Sequence, residues 1–136
     1  MTTMINVNAI SGGTDIQMMQ GSTFVCTFTI KDARNVAFDL TGFSVYAQFR
    51  KKWNSPTLID CNITNGKIQI ANDPSTGVFK LVLQPTDTSG INPTNVDDDS
   101  IDLLYDIELV SGDVPLIITR PTFGTFSILR EITRSI

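Results

Sequence analysis

Histidine is absent from the 136-residue chain. That removes the Ser-His-Asp and Cys-His nucleophile systems and every His-ligated metal site. Cysteine occurs twice, as Cys26 and Cys61. Two thiols are too few for a four-thiolate zinc centre, and these lie too far apart for a CxxC redox pair. Both fall on alternating apolar stripes, so the expectation is two buried small apolar side chains. The alternative is a bridge between two sheets, which requires an oxidising compartment. Positive charge is also scarce, with 10 Lys and Arg against 14 Asp and Glu for a net charge of −4. An acidic chain lacks the basic surface that non-specific nucleic-acid binding needs. No apolar run approaches the roughly 20 residues of a membrane-spanning helix. The opening Met1-Thr2-Thr3-Met4-Ile5-Asn6 has neither the basic nor the apolar region of a signal peptide. The expectation is a protein that stays in the cytoplasm where it is made, with no membrane partner, no cofactor and no metal.

The chain has 41% apolar and 18% charged residues, so it is neither disordered nor a charged coil, and its length suits one domain. The dominant period is two. Phe24, Cys26, Phe28 and Ile30 alternate with Val25, Thr27 and Thr29, which reads as a half-buried strand. Phe43, Val45, Ala47 and Phe49 repeat the pattern against Ser44, Tyr46, Gln48 and Arg50. Further strands are expected at residues 36–40, 58–63, 67–70, 78–84, 101–110, 114–120 and 123–130. Leu103, Tyr105, Ile107 and Leu109 form the inward side of the seventh of these nine, and Asp106 and Glu108 its solvent side. Asn65-Gly66 between two alternating runs predicts a hairpin, because both residues tolerate positive φ. Residues 85–100 are rich in Pro, Thr, Asn, Gly and Asp and read as a long surface connection with one helical turn near residues 86–91. Short strands with almost no helical periodicity predict an all-β antiparallel sandwich, with the long connection near residues 85–100 as its Greek-key step. Residues 1–14 read as an N-terminal arm or edge strand and residues 15–136 as a single β-sandwich domain. Met4, Met18 and Met19 suit either the core or an arm docked on a neighbour.

No catalytic residues stand out. Asp97-Asp98-Asp99 with Asp102 is the one acid cluster, and it reads as a solvated loop. A calcium site there is the sharper reading, although the EF-hand spacing is absent. Arg50-Lys51-Lys52-Trp53 is a basic run with an aromatic. Its plain reading is a solvated strand end with Trp53 folded back on the sheet. Its functional reading is a protein–protein contact, since Trp and Arg are favoured interface anchors. Pro115 marks an edge-like strand where a neighbour could add. Arg50, Lys51, Lys52, Trp53 and Pro115 are therefore the candidate interface residues. A carbohydrate-binding module would instead need Trp53, Tyr46 and Tyr105 to line one groove.

The order of segments carries a resemblance. Gly21-Ser22-Thr23-Phe24 leads a Thr/Phe strand, and Asp39-Leu40-Thr41-Gly42-Phe43-Ser44-Val45 follows. Thr76-Gly77-Val78-Phe79-Lys80-Leu81-Val82-Leu83 then precedes Thr86-Asp87-Thr88. Tyr105-Asp106-Ile107-Glu108-Leu109-Val110 comes next with its Gly112-Asp113 turn, and the chain closes on Gly124-Thr125-Phe126-Ser127-Ile128 and Glu131-Ile132-Thr133-Arg134. This order, from about residue 15 onward, resembles the Ig-like β-sandwich domain of tailed-bacteriophage virion proteins, including baseplate upper protein N-terminal domains and tail-fibre adaptors. The resemblance implies an Ig-like fold and a non-enzymatic structural subunit of the tail, neck or baseplate, or a fibre adaptor. It implies assembly in the host cytoplasm, residence in the virion, other virion proteins as partners, and a homo-oligomeric ring or array. The alternatives are a capsid decoration (cement) protein and a carbohydrate-binding module of a receptor-binding apparatus.

Overall fold

Alternation of apolar and polar residues gives each strand one wet and one dry side, and two such sheets bury their dry sides against each other. The computed structural model describes residues 2–9, 13–32, 34–95, 97–112 and 116–132, with residues 2–9 described by their strand pairing alone. Its strands are β1 (Thr2–Ala9), β2 (Ile16–Met19), β3 (Thr23–Ile30), β4 (Phe43–Arg50), β5 (Thr57–Cys61), β6 (Ile68–Ile70), β7 (Val78–Leu83), β8 (Ser100–Ser111) and β9 (Ile118–Leu129). One helical turn, α1 (Pro85–Thr88), follows β7. A four-stranded sheet has the order β1-β3-β7-β6, and a five-stranded sheet the order β2-β9-β8-β4-β5. This is an Ig-like order, in which the N-terminal segment gives one strand to each sheet. Both of those strands run parallel to their partners, β1 along β3 and β2 along β9, while the other pairings are antiparallel.

The dry faces are those the alternation predicts. Phe24, Cys26, Phe28, Ile30, Phe79, Leu81 and Leu83 come from one sheet, and Val45, Ala47, Phe49, Leu103, Tyr105, Ile107, Leu109, Phe126 and Ile128 from the other; all are buried. Antibody domains pack a tryptophan on an inter-sheet disulfide at this place. Here an aromatic cluster fills it. Phe126 stands edge-on to Phe24 at 5.4 Å and to Phe49 at 4.7 Å, and Tyr105 stacks on Phe49 at 5.7 Å. Cys26 and Cys61 are free, buried thiols, and loss of solvation pushes both up to about 12. Ile16 and Met18 are core residues, which settles Met18 as packing within its own subunit.

Several sequence-level expectations change. Residues 36–40 form no strand; their one ladder contact is an isolated bridge from Ala37 to Lys31. Asn65-Gly66 closes no hairpin, because β5 pairs with β4 and β6 with β7, in different sheets. The turn is a corner between the layers. Gly66 has φ 77°, and the Asn65 side chain accepts from Asn62 N and Lys67 N and donates to Asp60 O. Residues 114–120 and 123–130 are not two strands. β9 runs unbroken through Pro121, because Thr122 faces Ile107 while Thr119 faces Leu109. Arg120 and Pro121 thus stand against Glu108 alone, a β-bulge that accommodates a residue without an N–H.

The long connection crosses from β7 to β8, hence from one sheet to the other. It is anchored at its start. Lys67 Nζ meets Asp87 Oδ2 at 2.8 Å, and the same oxygen accepts from Gln84 N at 2.7 Å. Buried Gln20 donates to Ile91 O at 2.7 Å, and fully buried Thr88 accepts from Gly21 N at 2.9 Å. Residues 97–99 are exposed. Among the described residues no group of three His, Cys, Asp or Glu side chains is placed to hold a metal ion. No helix among them is long and apolar enough to cross a membrane.

Candidate binding groove on the five-stranded sheet

Residues two apart on a strand share a face, so Gln48 and Arg50 of β4 point outward with Leu104, Asp106 and Glu108 of β8. Register then sets the neighbours: Gln48 lies opposite Asp106 and Arg50 opposite Leu104. On the far side Leu104 faces Thr125 and Asp106 faces Phe123. The bulge turns Arg120 onto this face, where its Nη2 meets Glu108 Oε2 at 2.6 Å and its Nε lies 3.6 Å from Asp106 Oδ2. The β4–β5 loop brings Trp53 to one side, and the crossover into β2 brings Gly13 and Asp15 to the other. Together these residues line an open groove of about 770 Å³. A smaller depression of about 230 Å³ adjoins it at Tyr46 and shares Gln48, Asp106 and Glu108 with the groove.

The wall at residues 13–15 depends on one glycine. Thr14 N donates to Phe123 O at 2.7 Å, and the Thr14 carbonyl accepts from Tyr105 Oη at 2.6 Å. A Cβ on Gly124 would overlap that carbonyl. Asp15 Oδ1 accepts from Thr125 N at 3.0 Å. Burial pushes the Tyr105 phenol up to about 12, so it remains a donor to Thr14 across the neutral range. The opposite wall is pinned by Arg50, which donates to Ser55 O at 2.6 Å and to Gln48 Oε1 at 2.8 Å.

The candidate residues named from sequence separate into groups. Arg50 and Trp53 line the groove, whereas Lys51 and Lys52 are exposed outside its lining. Trp53 is not folded back on the sheet; it is 82% exposed, because its loop projects past the end of β4. Of the three aromatics a sugar groove would need, Trp53 and Tyr105 line this groove and Tyr46 the depression beside it; Tyr105 offers little ring surface there, because it is stacked on Phe49 and only 4% exposed. Pro115 lies outside the described residues, next to exposed Leu116, Ile117 and Ile118. Sequence reasoning missed Asp15, Gln48, Arg120 and Phe123 as members of one site. Phe123 carried a signal, since it falls in phase with Thr125 and Ser127 rather than with Phe126 and Ile128, an apolar residue on a polar side.

No family model matches the chain, and no curated protein matches it. Solved structures do. The N-terminal domain of phage TP901-1 ORF48 matches with a TM-score of 0.52 at 7% identity, covering 96% of this chain and 98% of that one. The fold is similar to that of a phage protein domain. A chain in the crystal structure of ICOS in complex with ICOS-L and an anti ICOS-L VNAR domain matches with a TM-score of 0.42 at 11% identity, covering 88% of this chain and 55% of that one.

Proposed function

We propose that this chain is a non-enzymatic structural subunit of a tailed-phage virion, in the tail, neck or baseplate or as a fibre adaptor. It is held by contacts with other virion proteins and repeated as a homo-oligomeric ring or array. The observation that carries this reading is the likeness to a phage protein domain over nearly the full length of both chains. The surface is consistent with it. Leu116, Ile117 and Ile118 are consecutive apolar residues exposed at 61%, 54% and 48%, and they follow the candidate Pro115 in sequence. Such a patch suits burial against a neighbour. Lys51 and Lys52, exposed beyond the Arg50 end of β4 and so at the other end of the sheet from this patch, are a separate, polar contact surface in this reading.

Peptide mass spectrometry with copy counting on density-purified particles tests the proposal. A low copy number matching one or a few rings supports a tail, neck or baseplate position. A shell-wide copy number replaces it with capsid decoration, and absence from particles overturns the virion reading.

A further inference from the structure

The virion reading does not use the groove on the five-stranded sheet. We infer that this groove is a binding site for a neutral oligosaccharide, with the Trp53 indole as its stacking platform.

The volume comes first. A groove of about 770 Å³ lies within the range of roughly 300–1,000 Å³ typical of small-molecule sites, and the depression beside Tyr46 lengthens it along the sheet. An elongated surface of this kind suits a short chain of rings better than one compact molecule.

The aromatic groups come next. Trp53 is 82% exposed and Phe123 56% exposed, and neither ring makes an aromatic contact with another ring among the described residues. An indole face carries negative quadrupole potential and attracts the weakly positive C–H groups on the flat side of a pyranose. Leaving so large an apolar face in water is unfavourable, and covering it restores that loss.

The polar groups then define the class of ligand. The lining offers Gln48, Asp106, Glu108, Arg120 and Thr125 within one face. Planar amide, carboxylate and guanidinium groups present paired acceptors or donors, matching the vicinal hydroxyls of a sugar. Arg120 already bridges Glu108 and Asp106, so these groups are held in place before a ligand arrives, and each carboxylate keeps lone pairs free to accept.

Charge decides between ligands of similar shape. Asp15, Asp106 and Glu108 give three negative charges, and Arg50 and Arg120 two positive ones. The lining is thus close to balanced, with one negative charge in excess. A phosphate-bearing or nucleic-acid ligand would meet three carboxylates and is disfavoured. A strongly cationic peptide would meet two arginines. A neutral, hydroxyl-rich ligand opposes neither set.

The chain has one tryptophan, so its intrinsic fluorescence reports this site alone. The purified full chain is titrated with neutral tri- and tetrasaccharides of glucose, galactose and N-acetylglucosamine in both anomeric linkages, reading Trp53 emission and saturation-transfer NMR. The expected result is a saturable emission change with at least one of them. Binding read by NMR should weaken at least tenfold in Trp53→Ala and in Glu108→Gln, and stay unchanged in Lys51→Ala. Trp53 is exposed, so the melting temperature of Trp53→Ala should match the parent and folding is not in question. The inference is overturned if none of the oligosaccharides gives an emission change or saturation transfer. It is also overturned if binding survives Trp53→Ala, or if emission shifts only with protein concentration alongside dimer in sedimentation, which would make the face a self-interface. These results bear on the groove alone and leave the particle copy count as the separate test of the virion reading.

Discussion

Gly124→Ala is the substitution that most sharply tests the account of how the N-terminal crossover is held. In a strand interior an added Cβ normally helps, since glycine there costs roughly 0.5–1 kcal/mol relative to alanine. At Gly124 the new Cβ would overlap the Thr14 carbonyl, which must move. Three hydrogen bonds move with it: Thr14 N to Phe123 O at 2.7 Å, Tyr105 Oη to Thr14 O at 2.6 Å, and Thr125 N to Asp15 Oδ1 at 3.0 Å. At about 1 kcal/mol for each neutral bond and somewhat more for the carboxylate, the expected loss is about 3 kcal/mol. The whole chain should have a stability of about 7–20 kcal/mol, so the variant folds but melts about 10 °C lower. Urea unfolding followed by circular dichroism measures the change, with an unaltered m-value. Tyr105→Phe alone should cost about 1 kcal/mol. The double variant should be no less stable than Gly124→Ala, because the two changes remove the same bond. A Gly124→Ala protein within 0.5 kcal/mol of the parent, or full additivity with Tyr105→Phe, would refute the reasoning.

Phe126→Ala removes the ring shared by Phe24, Phe49 and Tyr105 and should lower stability by about 3–5 kcal/mol, read by the same urea assay; a change below 2 kcal/mol would mean the core closes over the gap. Asp87→Ala should cost about 2 kcal/mol, because it leaves the half-buried Lys67 ammonium and the Gln84 amide without their shared acceptor. Lys67→Met should cost less, and equal losses would show that the Gln84 bond is unimportant. Burial raises the thiols of Cys26 and Cys61 to about 12 in the folded chain, whereas an unfolded thiol ionises near about 8.5. Stability from this source is therefore fully present below about pH 8.5 and is lost as pH rises toward 12. The limb should appear in unfolding curves above pH 9, and the native thiols should resist a disulfide reagent at pH 8 until the chain is unfolded.

The parts of the fold legible in the sequence are those that depend on local geometry. Side chains alternate along a strand whatever its partner, so the inward positions from Phe24 to Ile30 and from Leu103 to Leu109 follow from the residues themselves. The Asn65-Gly66 turn was legible as a turn for the same reason, since positive φ at Gly66 is a property of those residues. What it joins was not, because hairpin and corner use similar turn residues and differ in where the flanking strands find partners. Phe79 and Leu81 on β7 take Ile70 and Ile68 into the other sheet. The expected gap between residues 120 and 123 erred in the opposite sense: β9 continues through Pro121, and the bulge that absorbs this proline depends on how β8 is aligned opposite.

The sequence by itself determined that the chain builds two half-buried sheets, which side of most strands is dry, and that the core is aromatic and aliphatic without histidine. Those outcomes rest on period-two burial, which acts within a few residues. The tertiary structure alone decided which strands pair, that the N-terminal segment serves both sheets, and that Trp53, Gln48, Asp106, Arg120 and Phe123 share one groove. These are contacts across tens of residues. They are selected by the packing of whole faces and by register, which a local pattern does not encode.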